Sequence, residues 1–323
     1  MKKSILAIAV AATMAAPAAV MAAPTVYGNV HLAIVDLDSQ DNLDIKSYTS
    51  AIGVKGSEDL GDGLKAIYKV EFQVDVADSG SNDGGAVGLV NRDQFVGLKG
   101  GMGTVKIGTF SSNYKQKGGK VDSLYRTPVE GRGMIHTQSR LHNGRDINRG
   151  RMTNALSYTS PKMGGISLVA NTTFSNAEDE TIGVGLRFDS KAFMVYADWI
   201  DAQPGAATSL AGNDTESAIK VGGKFSTKVF HVGGQYEMAE DLTGFDYIHV
   251  NAGFNINKNN SIQATVGTAT HISNGDLDTT GIALAYNHKL SKMTNVYVAY
   301  GDRSADSALA EDSALAFGIR KKF

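Results

Sequence analysis

The chain has 323 residues, 31 Lys and Arg against 33 Asp and Glu, 37 glycines, 5 prolines and no cysteine. A net charge of −2 argues against a globally basic nucleic-acid binder, and the missing cysteines exclude disulfides, thiolate zinc sites and cysteine nucleophiles. Apolar content of 42% is too high for a disordered chain and too low for a helical membrane bundle.

The first 22 residues read as a secretory signal peptide. Lys2 and Lys3 form the charged start, Ile5 to Ala16 the apolar core, and Val20-Met21-Ala22 a small-residue cleavage site. Residues 23–323 then form one exported domain. Beyond residue 23 no apolar run approaches the 18 or so residues that a spanning helix needs.

Alternation at period two follows instead. Leu64, Ala66, Tyr68, Val70 and Phe72 interleave with Lys65, Ile67, Lys69, Glu71 and Gln73. Ile182, Val184, Leu186 and Phe188 do the same with Thr181, Gly183, Gly185 and Arg187. In chain order the predicted strands cover 26–35, 47–57, 64–74, 91–99, 103–110, 153–160, 165–174 and 180–188. They continue over 192–200, 217–225, 229–237, 245–254, 260–269, 278–287, 294–301 and 313–323, sixteen in all. Connections after even strands are short, and those after odd strands are mostly long. The greatest is 111–152, and 175–179 is a short exception. Tight turns at one rim and long loops at the other mark an outer-membrane β-barrel, which pairs every backbone group within lipid. The fold class is thus all-β, a 16-stranded antiparallel transmembrane barrel.

The sequence resembles the Gram-negative general diffusion porins over its whole mature length. The matching stretches are Val26-Tyr27-Gly28, the run from Ile52 to Ala66 (IGVKGSEDLGDGLKA), the run from Phe95 to Val105 (FVGLKGGMGTV), Ser157 to Pro161 (SYTSP), and the terminal Phe323. The resemblance implies a homotrimer in outer-membrane lipid and lipopolysaccharide. Its channel would pass small hydrophilic solutes and ions without a cofactor. It implies that the loop after the fifth strand folds into the lumen, and that the assembly machinery reads Phe323.

That loop, 111–152, holds nine basic residues against Asp122, Glu130 and Asp146, a balance of +6. The rest of the mature chain carries −10. The candidate constriction residues are Lys115, Lys117, Lys120, Asp122, Arg126, Glu130, Arg132, Arg140 and Arg145. Strand parity adds the wall residues His31, Lys65, Lys69, Glu71, Arg92 and Lys106. The resemblance implies wall bases Lys69 and Arg92, with His31, opposed across the pore by loop acids Asp122 and Glu130. Ala51 and Thr109 stand where relatives often carry arginine, which thins that cluster. The excess of positive charge predicts an anion-preferring pore. A substrate-selective anion channel, for phosphate or organic anions, is the alternative, and a plugged structural or adhesive barrel is a third.

The acidic loops around Asp36, Asp38, Asp41 and Asp44 and around Asp302, Asp306, Glu311 and Asp312 lack calcium-loop spacing and read as solvated charge. No G-x-S-x-G elbow or metal-ligand spacing accompanies the seven histidines, so no enzyme and no metal site is expected.

Overall fold

Residues that alternate in polarity and end in tight turns close into a cylinder in the computed structural model. It describes residues 23–77, 89–142, 150–174, 180–202, 216–307 and 311–323. The signal peptide 1–22, the short connection 175–179 and Arg145 lie outside the described residues.

The strands are β1 (Thr25–Leu37), β2 in two parts (Asp44–Ser47 and Ala51–Gly61), β3 (Leu64–Gln73), β4 (Val90–Gly100), β5 (Gly103–Ser111), β6 (Arg151–Thr159), β7 (Ile166–Thr173) and β8 (Thr181–Asp189). They continue as β9 (Phe193–Ala202), β10 (Glu216–Ser226), β11 (Phe230–Met238), β12 (Phe245–Asn255), β13 (Asn260–His271), β14 (Thr279–Lys289), β15 (Thr294–Ala305) and β16 (Asp312–Lys322). Each pairs antiparallel with its sequence neighbours. The sheet closes where β1 meets β16, from Asn29 opposite Lys322 to Leu37 opposite Ala314. Phe323 completes the seam by exchanging backbone hydrogen bonds with Gly28 at 3.0 and 3.1 Å, and its ring fills the space that a side chain at position 28 would need.

Sixteen strands are as the alternation predicts, and boundaries move by a few residues. The second strand is the exception, because Tyr48, Thr49 and Ser50 bulge out of it around His31. Ser50 Oγ accepts from the His31 amide at 2.9 Å, the Tyr48 amide donates to the His31 carbonyl, and Thr49 takes a φ of 56°. The bulge turns Tyr48 inward, where it packs against the lumen cluster. At the opposite rim, Asp62 and Gly63 have φ of 50° and 76°, the two left-handed residues of a hairpin turn whose twist suits antiparallel strands.

Parity sets the two faces. In β8 Ile182, Val184, Leu186 and Phe188 point out to lipid, while Thr181, Gly183, Gly185 and Arg187 are buried inside. Among the described residues no helix is long and apolar enough to cross a membrane. The strands do the crossing.

The apolar core is not central; it lies where the long loop meets the inner wall. Leu124, Val129 and Ile135 are fully buried against Ala33, Val35, Ala283, Ala285, Ala299, Ala314 and Ala316. Small side chains on β14–β16 leave room for a loop that would otherwise be excluded. Burying each such aliphatic side chain stabilises by roughly 1.5–3 kcal/mol. Gly281 marks the closest approach, since a Cβ there would overlap the Ile135 carbonyl oxygen. Gly281→Val is therefore expected to cost about 1–3 kcal/mol by overpacking and to lift the loop tip. A lower thermal midpoint together with a raised single-channel conductance checks it.

Candidate functional site

The loop after β5 begins at a helix, α1 (Asn113–Val121), capped by Ser112 Oγ, which accepts from the Lys115 amide at 3.2 Å. Gly118 and Gly119 bare one face of α1, so the rings of His142 and Tyr125 lie directly on its backbone. Asn113, Tyr114 and Lys117 of α1 meet the wall made by β7 to β11.

Polar side chains tie it there. Glu237 accepts from Tyr114 Oη at 3.1 Å, Ser139 Oγ at 2.6 Å and His142 Nε2 at 3.0 Å. Lys220 donates to the Tyr114 carbonyl and sits 4.1 Å over its ring. Asn113 Nδ2 donates to the Val184 and Trp199 carbonyls at 2.8 and 2.9 Å and to Asp198 at 3.2 Å. Asp198 also pairs with Arg187 at 2.5 Å. All of these groups are buried, so each carries the cost of its lost water unless its partner is present.

The loop tip is folded by its own acids. Asp122 accepts from the amides of Leu124 at 2.8 Å and Gly131 at 2.9 Å. Glu130 accepts from the Arg126 amide at 2.6 Å and from Arg132 Nε at 2.8 Å. The expectation that Asp122 and Glu130 face Lys69 and Arg92 across the pore is corrected here. Backbone amides and Arg132 lie nearer to them, and these satisfy the carboxylates inside the loop.

The wall bases find wall acids instead. Arg92 Nε donates to Glu71 at 2.6 Å, and Lys69 lies 2.9 Å from Asp93 and 3.1 Å from Glu71. Arg151 reaches Asp93 at 3.3 Å, and Tyr27 Oη donates to Glu71 at 2.7 Å. Lys106 lies over the rings of Phe95 and Phe110 at 5.1 and 4.7 Å.

Between this wall and the loop lies a passage of about 470 Å³. Its lining holds eight basic side chains, Lys69, Arg92, Lys106, Lys115, Lys120, Arg126, Arg151 and Arg320, against the two carboxylates of Glu71 and Asp93. Arg126 takes a φ of 69°, a strained position for a side chain this large. The Nε atoms of Arg126 and Arg320 are buried without a hydrogen-bond partner. Lys115 is held well below the ordinary lysine range, first by burial and then by Arg132, and gives its Nζ to the His142 carbonyl at 2.7 Å.

Several predicted residues lie elsewhere. His31 is buried beside the β2 bulge, bonded through Nε2 to Tyr297 Oη at 2.9 Å. Lys65 stands at the tight-turn rim, 3.8 Å from Asp59. Lys117 points off α1 to Asp189 at 2.6 Å, away from the passage. Arg132 and Arg140 line a second cavity on the long-loop side.

Asp93 was missed. A bulge in the pairing of β3 with β4 sets both Arg92 and Asp93 opposite Glu71, so strict alternation misassigns one of them. Arg320, recognisable by parity, belongs to the passage as well. Among the described residues no group of three acids or histidines could hold a metal ion. Asp312 instead clips the first loop to the last by accepting from the Ser39 amide and Oγ at 3.2 and 3.0 Å.

Acidification acts on the loop in two directions. Burial, ahead of Lys220, lowers His142 to about 4, and burial, ahead of Arg303 and Arg140, lowers His136 to about 4. Their stabilisation is complete above the ordinary 6.5 and is lost as pH falls towards 4, because the unfolded chain takes up protons first. Burial raises Asp122 from 3.8 to about 6, so its contribution runs the other way and is lost as pH rises through 6. Two histidines outweigh one aspartate. Current fluctuations of single channels are therefore expected to grow between pH 6.5 and 4, and His142→Gln should remove part of that rise. Fluctuations independent of pH would contradict it.

A family model described as Gram-negative porin matches residues 7–308. The major outer membrane protein P.IB of Neisseria gonorrhoeae is 32% identical over 213 residues, 60% of this chain and 55% of that protein. Its counterpart in Neisseria lactamica is 29% identical over 235 residues, 68% of this chain and 65% of that one. The chain thus matches between about half and two thirds of the length of these relatives. Among solved structures, an anion-selective porin from Comamonas acidovorans superposes with a TM-score of 0.74 at 20% identity, covering 93% of this chain and 99% of that one. OmpF of Salmonella typhi in complex with daunomycin gives a TM-score of 0.72 at 16% identity, over 93% and 97%. OmpT of Vibrio cholerae in its trimer form gives 0.67 at 17% identity, over 94% and 100%.

Proposed function

Since this chain belongs to the Gram-negative porin family, we propose that it forms a water-filled outer-membrane channel for passive diffusion of small hydrophilic solutes, with a preference for anions. The observation that carries the preference is the lining of the passage, eight basic side chains against two carboxylates already engaged by Lys69, Arg92 and Arg151. Fixed positive charge lowers the entry barrier for an anion and raises it for a cation. Basic residues of both loop and wall line the passage, and long loops at one rim fit an outward-facing rim.

The remaining parts of the reading follow the family. Residues 1–22 direct export and are removed, Phe323 serves assembly besides closing the seam, and the working unit is a homotrimer embedded in outer-membrane lipid and lipopolysaccharide.

The experiment is the reversal potential of the purified channel in a planar bilayer under a potassium chloride gradient. A potential of the sign set by chloride supports the reading. One set by potassium overturns it.

A further inference from the structure

We propose that the outer vestibule contains a subsite for small aromatic carboxylates, on the loop side of the constriction. The proposal rests on the anion-preferring reading and adds a solute class to it.

The cavity is about 640 Å³, within the range of small-molecule sites. Its lining combines two chemistries. Tyr48, Phe245 and Met134 offer rings and apolar surface, while Arg140 and Arg303 offer guanidinium groups.

The rings are held in place. Tyr48 is carried inward by the β2 bulge and stands 5.9 Å from the His31 ring. Phe245 is braced edge-on by His136 at 5.2 Å and by His271 at 4.7 Å. Braced rings cost little further ordering when a flat solute stacks on them.

The acids of the same cavity are committed elsewhere. Glu130 is taken by the Arg126 amide and Arg132 Nε, and Asp312 by Ser39. Arg303 donates to the Met134 carbonyl at 3.0 Å, which fixes its guanidinium at the cavity edge. Arg140 is exposed and has no carboxylate within ion-pair distance among the described residues. A planar guanidinium of this kind takes a carboxylate through two parallel hydrogen bonds.

The constriction itself lacks this combination. Its rings, Phe110 and Tyr125, are already covered by Lys106 at 4.7 Å and Arg132 at 4.6 Å. A benzoate-sized anion thus meets ring surface and guanidinium together in the vestibule before it meets charge alone in the passage.

The test is chloride current through the full channel in a planar bilayer, with sodium benzoate or sodium acetate added to the long-loop side. Benzoate is expected to reduce the current saturably, with half-block at a concentration at least about fivefold below that of acetate, and to do less from the opposite side. Arg140→Gln and Tyr48→Leu should each raise the half-blocking concentration of benzoate several-fold, with each variant's own chloride current showing that it has folded. Equal block by benzoate and acetate overturns the subsite, as does benzoate block that neither variant changes. The reversal potential judges the anion preference separately, so the subsite can fail while that reading stands.

Discussion

Replacing Glu237 by alanine is expected to detach α1 from the barrel wall. The side chain accepts from Tyr114, Ser139 and His142 at once, and Lys220 stands beside it in the same buried network. Removing the carboxylate leaves buried donors on Tyr114, Ser139, His142 and Gln235 without their acceptor and takes one of two nearby negative charges from Lys220, which keeps Asp198 and the Tyr114 carbonyl. Breaking a buried charged network by deleting one partner costs about 3–5 kcal/mol. The barrel itself keeps its strand pairs, so the loss falls on the loop. Thermal unfolding of Glu237→Ala should begin earlier, and single-channel conductance should rise because the passage is no longer held narrow. Glu237→Gln retains an acceptor and a similar volume, and should show a smaller change in both. Unchanged conductance in Glu237→Ala would mean that the apolar contacts of Leu124, Val129 and Ile135 hold the loop unaided.

Reversing the charge of Arg126 and Arg320 together is expected to move the anion-to-cation permeability ratio by roughly tenfold towards cations. A unit charge about 4 Å from a permeating ion is worth about 1 kcal/mol in bulk water and about 4 kcal/mol near a protein surface. Both residues line the passage, one from the loop and one from β16, and neither has its Nε bonded. The reversal potential of Arg126→Glu with Arg320→Glu reads the effect, which should shrink as salt rises and the Debye length falls. Lys65→Glu is the contrast, since Lys65 stands at the tight-turn rim beside Asp59 and outside the passage. A shift as large in Lys65→Glu would place selectivity at the mouth and not at the constriction.

Much of the architecture was legible in the residues alone. Period-two alternation is local, so Val184, Leu186 and Phe188 on one face and Gly185 and Arg187 on the other declare a strand without reference to its partner. Parity also assigned Glu71, Arg92 and Lys106 to the interior, where they are found. It failed at bulges. Asp93 entered the lumen because one extra residue in the pairing of β3 with β4 breaks the alternation that parity assumes. His31, assigned to the pore wall, faces the interior beside the Tyr48–Ser50 bulge, where it lines a neighbouring cavity with Ser123, Tyr297 and Arg320 and not the passage beside Lys69 and Arg92.

The roles of the loop charges were decided by tertiary structure. Nine basic and three acidic residues in 111–152 announce an electropositive segment, and their count is independent of conformation. Which of them faces the solute depends on contacts between residues far apart in the chain, such as Tyr114 with Glu237 across 123 positions or Lys117 with Asp189 across 72. No local period encodes such pairs. Asp122 and Glu130 are satisfied within the loop by amides and Arg132, and Lys117 turns from the passage to meet Asp189. The sequence by itself determined the barrel, its two faces and the sign of its loop, since each follows from local polarity or from composition. The open passage and the side chains lining it came only from folding, because a loop can be placed inside a cylinder only by what it touches there.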